Sequence, residues 1–249
     1  MAIHIAIPQP TSGDEEYNQR SLPLYLDALR AAGATPVVVP LNEPQQAVAK
    51  LLIGVQGVLL PGSRYDVDPQ RYGEARQPEC GDDDPARTAV DELLLQDAFG
   101  LRKPILGICH GTQNLNVWRC GSLIQDLKTP VNHRPGRDVA DAHPVRIAEG
   151  SRLAALLPSG ESLEVQVNSS HHQAIRVPGD RLRVAAVSAG DGVVEAVELE
   201  GDDQFVVAVQ WHPERTYMQS AFSRALFAAF VQAAAVWHPP LIEESVVKA

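Results

Sequence analysis

A cysteine with glycine at both second neighbours closes an apolar run in Gly107-Ile108-Cys109-His110-Gly111. Residues 104–108 read as a strand, and the segment after Cys109 is compatible with a helix. A chain that folds back this tightly has no room for a Cβ beside the turn, which is what glycine supplies. The thiol is thereby lifted to the apex, near a helix N-terminus whose partial positive charge favours thiolate. The pattern is the cysteine counterpart of the G-x-S-x-G nucleophile elbow. It makes Cys109 the expected catalytic nucleophile. Cys80 lies among Glu79, Asp82, Asp83 and Asp84, which disfavour thiolate, and Cys120 lies at a helix end, so both are expected to be structural.

An attacking thiol needs a base, and the base needs an orienting group. A strand-like run, 206–210, leads into Trp211-His212-Pro213-Glu214. Pro213 biases His212 toward extended backbone. Residues two apart on extended chain face the same side, so Glu214 is expected to hold the His212 imidazole. His171 and His172, in Asn168-Ser169-Ser170-His171-His172-Gln173, are competing bases with no acidic neighbour in sequence. A substrate-side or a structural role stays open for both. The backbone N–H of His110 is a natural oxyanion donor. His4, His133, His143 and His238 are read as incidental. Three cysteines give neither a disulfide framework nor a C-x-x-C metal spacing. No metal and no cofactor are expected.

The elements that position these residues start with an alternation. A strand at 3–7, a helix at 22–32 stopped by Gly33, a strand at 36–39, a helix at 45–52 and a strand at 57–60 fill the first sixty residues. That order predicts a parallel sheet covered on both faces. Residues 61–84, rich in Pro, Gly, Asp and Arg, read as a long ordered loop of a kind that is often functional. A helix at 85–101 opens on Pro85, and the elbow strand and a helix at 112–119 follow. The second half reads as strands at 123–127, 145–148, 163–167, 182–187, 193–199 and 205–210, then a helix at 218–236. The fold class is therefore α/β: a doubly wound, mainly parallel central sheet flanked by helices, with an antiparallel or mixed β region added in the second half.

The net charge of −10 fits poorly with nucleic acid or an anionic membrane surface, which clustered Lys and Arg would serve. No run approaches the roughly 20 apolar residues that span a bilayer. The N-terminal stretch lacks the basic start and apolar length of a signal peptide. A cytoplasmic protein is expected.

Taken together, Gly107 to Gln113 and Gln210-Trp211-His212-Pro213-Glu214 resemble the class I glutamine amidotransferase-like superfamily. Four further stretches resemble its gamma-glutamyl-gamma-aminobutyrate hydrolase branch, the C26-type peptidases. They are Leu60-Pro61-Gly62-Ser63-Arg64-Tyr65-Asp66-Val67-Asp68-Pro69, Tyr72-Gly73-Glu74, Gly121-Ser122-Leu123-Ile124-Gln125-Asp126-Leu127, and Val167 through Gln173. The resemblance covers roughly residues 3–237. It implies one hydrolase domain over 1–238 with a tail at 239–249, and a Cys109–His212–Glu214 triad. It also implies an oxyanion hole from the backbone of Gly62, Ser63 and His110. Gln113, Ser169, Ser170 and His171 would contact a γ-glutamyl group.

The implied reaction releases glutamate and an amine through a γ-glutamyl thioester, as in polyamine or putrescine catabolism. The substrate is a small molecule, and a homodimer is compatible with the family. A glutaminase subunit serving a synthetase, and a ligand-binding homologue without activity, are the alternatives. Two positions depart from the branch, which usually has glycine at Ser63 and commonly arginine at His110. A positive φ at Ser63 would cost roughly 1–2 kcal/mol. Loss of the arginine predicts weaker hold on an anionic leaving group.

Overall fold

The computed structural model describes residues 2–158 and 160–240. Residues 241–249 of the expected tail lie outside this range. Strands β1 (Ile3–Pro8), β2 (Ala34–Val39), β3 (Gly57–Leu60), β4 (Ile105–Ile108) and β11 (Val206–Val209) run parallel, in the order β2-β1-β3-β4-β11. The sheet continues antiparallel from β11 through β10 (Val194–Leu199), β9 (Leu182–Ser188) and β6 (His143–Ile147) to β7 (Glu164–Val167). A short side branch pairs β5 (Ser122–Ile124) with β8 (Ala174–Val177), and β8 with β10. The expected parallel core and antiparallel extension are both present, joined in one eleven-stranded sheet.

The parallel strands are apolar but for His4 in β1 and Thr35 in β2, because both faces of the sheet are covered. Ile5, Ile7, Leu59, Leu106, Ile108, Val207 and Val209 face one core with helices α1 (Glu15–Ala31) and α6 (Ala221–Val236). Their alternates Ala6, Val58, Leu60, Ile105, Val206 and Ala208 face a second core. That core is closed by α2 (Gln45–Leu52), α3 (Pro85–Gly100) and α4 (His110–Trp118). Among the described residues no helix is long and apolar enough to cross a membrane.

Three elements differ from expectation. Helix α1 starts at Glu15, well before 22, because Asp14 caps it by accepting the Tyr17 N–H at 2.8 Å. Its first turns, Glu-Glu-Tyr-Asn-Gln-Arg, carry no apolar periodicity to reveal them. Strand β8 is additional to the expected set; it is four residues long with an exposed second half. The C-terminal helix begins at Ala221 after a separate short turn, α5 (Pro213–Thr216).

Candidate active site

Strands β3, β4 and β11 are neighbours and run in one direction. Their C-terminal ends therefore release Gly62, Cys109 and His212 side by side, where open α/β sheets form their crevices. Cys109 is the turn between β4 and α4, with φ 52° and ψ −107°. This sparsely populated conformation costs on the order of 1–3 kcal/mol and is held by its surroundings. The Cys109 N–H donates to Val209 O at 2.8 Å, and Thr112 Oγ1 donates to the same oxygen at 2.6 Å. Gly111 lies so close to β3 that a Cβ would overlap the Leu60 carbonyl. The steric role expected for that glycine is thus met, while the strained φ falls on the cysteine itself.

His212 Nδ1 lies 2.8 Å from Glu214 Oε1, and both are buried. The pair forms by a different route from the one expected. His212 (φ −115°, ψ 78°) is the residue that caps α5 rather than an extended strand residue, and Glu214 lies in the first turn of α5, so the chain bends after His212. Asn168 fixes the histidine backbone with two bonds of 2.7 Å, donating to His212 O and accepting from His212 N. Cys109 and His212 both border Gly62 and line one cavity. A Cβ on Gly62 would lie 2.9 Å from His212 Cε1, 3.0 Å from the Tyr25 hydroxyl and 3.5 Å from Cys109 Cβ.

Electrostatics reverse one expectation. Burial pushes the Cys109 thiol up to about 12, although Arg215 and the His110 N–H favour the thiolate. Burial likewise pushes His212 down to about 4 against the pull of Glu214. Burial thus favours a neutral thiol beside a neutral imidazole over the charged pair. The helix terminus expected to ionise Cys109 is outweighed by desolvation.

The remaining candidates divide. Gln113, Ser170, His171 and Ser63 line the same cavity as Cys109, His110 and His212. Gln113 Nε2 donates to Gln173 O and Gln210 Oε1 at 3.1 and 3.2 Å. Ser169 does not line the cavity; its hydroxyl is turned to His133 O at 2.9 Å. The Gly62 N–H is taken by the Tyr25 hydroxyl at 3.1 Å, which leaves that glycine to provide space rather than a donor. Ser63 is absent from the residues with positive φ, so the expected cost of serine there does not arise. His172 finds its acidic partners at a distance in sequence, Asp66 at 2.8 Å and Asp126 at 3.2 Å. Cys80 is buried and its pKa is raised by burial and by Asp66. Cys120, exposed at φ 67°, lies just past the end of α4.

Sequence reasoning missed the arginines. Arg20, Arg64, Arg134, Arg137 and Arg215 reach the cavity from four segments, Arg134 and Arg137 sharing one loop. Arg215 Nε and Nη1 are buried without a hydrogen-bond partner. No motif could have announced a cluster assembled from so many segments.

The chain matches the Peptidase C26 family over residues 5–214, and it belongs to that family. Among its relatives is a gamma-glutamyl-gamma-aminobutyrate hydrolase of Escherichia coli O157:H7, 40% identical over 221 residues that cover 84% of each chain. A candidate glutamine amidotransferase of Mycobacterium tuberculosis is 41% identical over 217 residues, which are 84% of this chain and 66% of that protein. The fold matches a candidate GMP synthase component from Thermoplasma acidophilum with a TM-score of 0.65 at 20% identity, covering 94% of this chain and 95% of that one. The family and its hydrolase members support a hydrolase.

Proposed function

We propose that the protein cleaves γ-glutamyl amides with Cys109 as nucleophile, His212 as base and acid, and Glu214 as the group that orients His212. The observation that carries this reading is that Cys109 and His212, the latter paired with Glu214, both border Gly62 and line one cavity at three adjacent strand ends. Because burial favours the neutral thiol, Cys109 Sγ attacks the γ-carbonyl as His212 Nε2 takes its proton. The backbone N–H groups of Ser63 and His110 receive the oxyanion. His212 then returns the proton to the departing amine. Water, deprotonated by His212, opens the γ-glutamyl thioester and frees glutamate.

The arginines bear on the leaving group. Arg137 is lowered first by burial and then by Arg215 and Arg20, a mutual repulsion that a bound anion relieves. Charge that is missing beside the nucleophile is thus supplied from elsewhere, and we assign the site to amides whose two halves both carry carboxylates. Incubation with a panel of γ-glutamyl amides is expected to yield glutamate and a γ-glutamyl adduct on Cys109 by peptide mass spectrometry. Glutamate release without any such adduct, or no release from the whole panel, overturns the reading. The name of the M. tuberculosis relative favours one alternative, a glutaminase. Ammonia release from glutamine exceeding release from γ-glutamyl-γ-aminobutyrate would select it.

A further inference from the structure

Four side chains outside the proposed chemistry converge in the antiparallel half. His133, His143, His171 and Glu195 are buried, and one donor atom of each lies within 4.8 Å of all the others. Glu195 Oε1 is 3.2 Å from His133 Nδ1, 3.5 Å from His143 Nε2 and 3.5 Å from His171 Nε2. None of these atoms has an aligned hydrogen-bond partner, nor does Glu195 Oε2. Glu198, also buried in β10, shows what a satisfied carboxylate looks like here, with donors from the Arg152 N–H at 2.8 Å and Arg183 Nε at 2.9 Å.

We propose that His133, His143, His171 and Glu195 form a binding site for a divalent transition metal, with Zn2+ the ion that this donor set suits. Bonds of about 2.0–2.2 Å in a tetrahedron set neighbouring donors about 3.3–3.5 Å apart. The three separations from Glu195 match that edge. The outer nitrogens complete the pattern. His133 Nε2 faces Asp191 Oδ2 at 3.0 Å, His171 Nδ1 faces Gln173 O at 2.9 Å, and His143 Nδ1 faces Pro144 O at 3.4 Å. In the neutral imidazoles, an N–H on the outer nitrogen facing each acceptor leaves a lone pair on the inner one, as at metal-bound imidazoles. With the inner nitrogens unprotonated, three lone pairs and a carboxylate face one another in a buried site, an arrangement that a bound cation satisfies.

The backbone is built for this arrangement. Val194 pairs with Val187 and Ala196 with Ala186, so Glu195 is the extra residue of a β-bulge, a device that re-aims a side chain. The metal would also brace the cavity wall. His133 O accepts the His171 N–H at 3.0 Å and the Ser169 hydroxyl at 2.9 Å, so the ligands hold the segment that carries Ser170 to Gln173. This departs from the expectation of no metal. The four ligands come from four separate segments, and no local spacing signals them.

The test is zinc retention, independent of turnover. Protein stripped with dipicolinate, reloaded with Zn2+ and desalted is expected to keep about one equivalent, in wild type and in Cys109→Ala alike. His143→Gln is expected to keep less than about a tenth of that. Reloading is expected to raise the melting temperature of the stripped wild type by about 5 °C or more. Should His143→Gln fail to fold, Co2+ in the wild type decides. Ligand-field bands without thiolate charge transfer support the site, and their absence overturns it. Wild type that keeps no zinc, or zinc held through Cys109 instead of His143, also overturns it.

Discussion

In the parallel half, from β2 to β11, the strands are apolar except at His4 and Thr35 near the starts of β1 and β2, and the reactive groups stand just past the ends of β3, β4 and β11. In the antiparallel half, polar groups lie buried inside the strands. Glu195 and Glu198 sit in β10, His143 opens β6 and Ser188 closes β9. A buried polar group within a strand must be matched from neighbouring segments or it destabilises the fold. A group at a strand end can be left strained and unpaired, because the sheet beneath it holds without it. The first half therefore separates activity from stability, and the second couples them.

The sharpest test of that separation is Cys109→Ala. Loss of the attacking thiol is expected to lower γ-glutamyl hydrolysis by about 10⁴-fold or more. The unfolding free energy in urea should change by no more than about 1 kcal/mol, since the backbone bonds that hold the φ of 52° do not involve the thiol. Glu195→Gln, by contrast, should change the melting temperature of zinc-loaded protein more than it changes turnover. Equal stability losses in the two variants would erase the distinction between the halves.

Arg87 is where the comparison can break. It is fully buried in α3, in the parallel half, and makes 2.7 Å bonds to Asp91 and to Pro61 O, with a 2.8 Å bond to Pro10 O. Pro61 precedes the Gly62–Ser63 segment, so a buried cation anchors the loop that would supply the oxyanion donor. Arg87→Met leaves Asp91 buried with only Asn114, at 2.7 Å, to meet it. The expected loss is about 3–5 kcal/mol in urea unfolding. Arg87→Met with Asp91→Leu should recover part of that stability while turnover stays depressed. Recovery of both would mean that the guanidinium does not position the loop.

Protonation gives a smaller effect with a definite sign. Burial holds His212 neutral and lowers its pKa to about 4, so the base stays unprotonated until pH falls through that value. The acid limb of kcat/KM for the free enzyme is therefore expected near pH 4, below the ordinary histidine value of about 6.5. The thiol, pushed up to about 12, should be alkylated by iodoacetamide at a rate that climbs roughly tenfold per pH unit from 7 to 10. An alkylation rate that is flat over that range would restore the thiolate expected from the helix terminus.

The comparison also explains what could be read from the chain. The nucleophile turn, the strand before His212 and the helices α2 and α3 are legible, because each is a contiguous stretch whose pattern carries its own reason. His133 and His143 read as incidental because their partners, Asp191 and Glu195, are more than fifty residues away and are brought in by strand pairing. Asn168 stands within a recognisable motif, yet nothing local tells that it grips the His212 backbone. Arg87 reads as an ordinary helical residue. In each case the missing information is register between distant segments, which periodicity does not encode.

The arginine cluster offers the finest test, because it belongs to neither half alone. Arg20 comes from α1, Arg134 and Arg137 from the loop between β5 and β6, and Arg215 from α5. Arg137 donates to Ser21 Oγ and Arg20 O, both at 3.3 Å, so it is tethered only weakly to the fold. Replacing it should cost little stability. If the cluster holds the carboxylate of the departing amine, Arg137→Gln raises KM for γ-glutamyl-γ-aminobutyrate by about tenfold, roughly 1.4 kcal/mol, with kcat little changed. KM for a γ-glutamyl amide of a neutral alkylamine should move by less than about twofold. The difference between the substrates is the readout, since a general loosening of the cavity would raise both. Equal increases would mean that Arg137 does not single out the carboxylate of the departing amine, and would leave Arg20 or Arg134 to receive it.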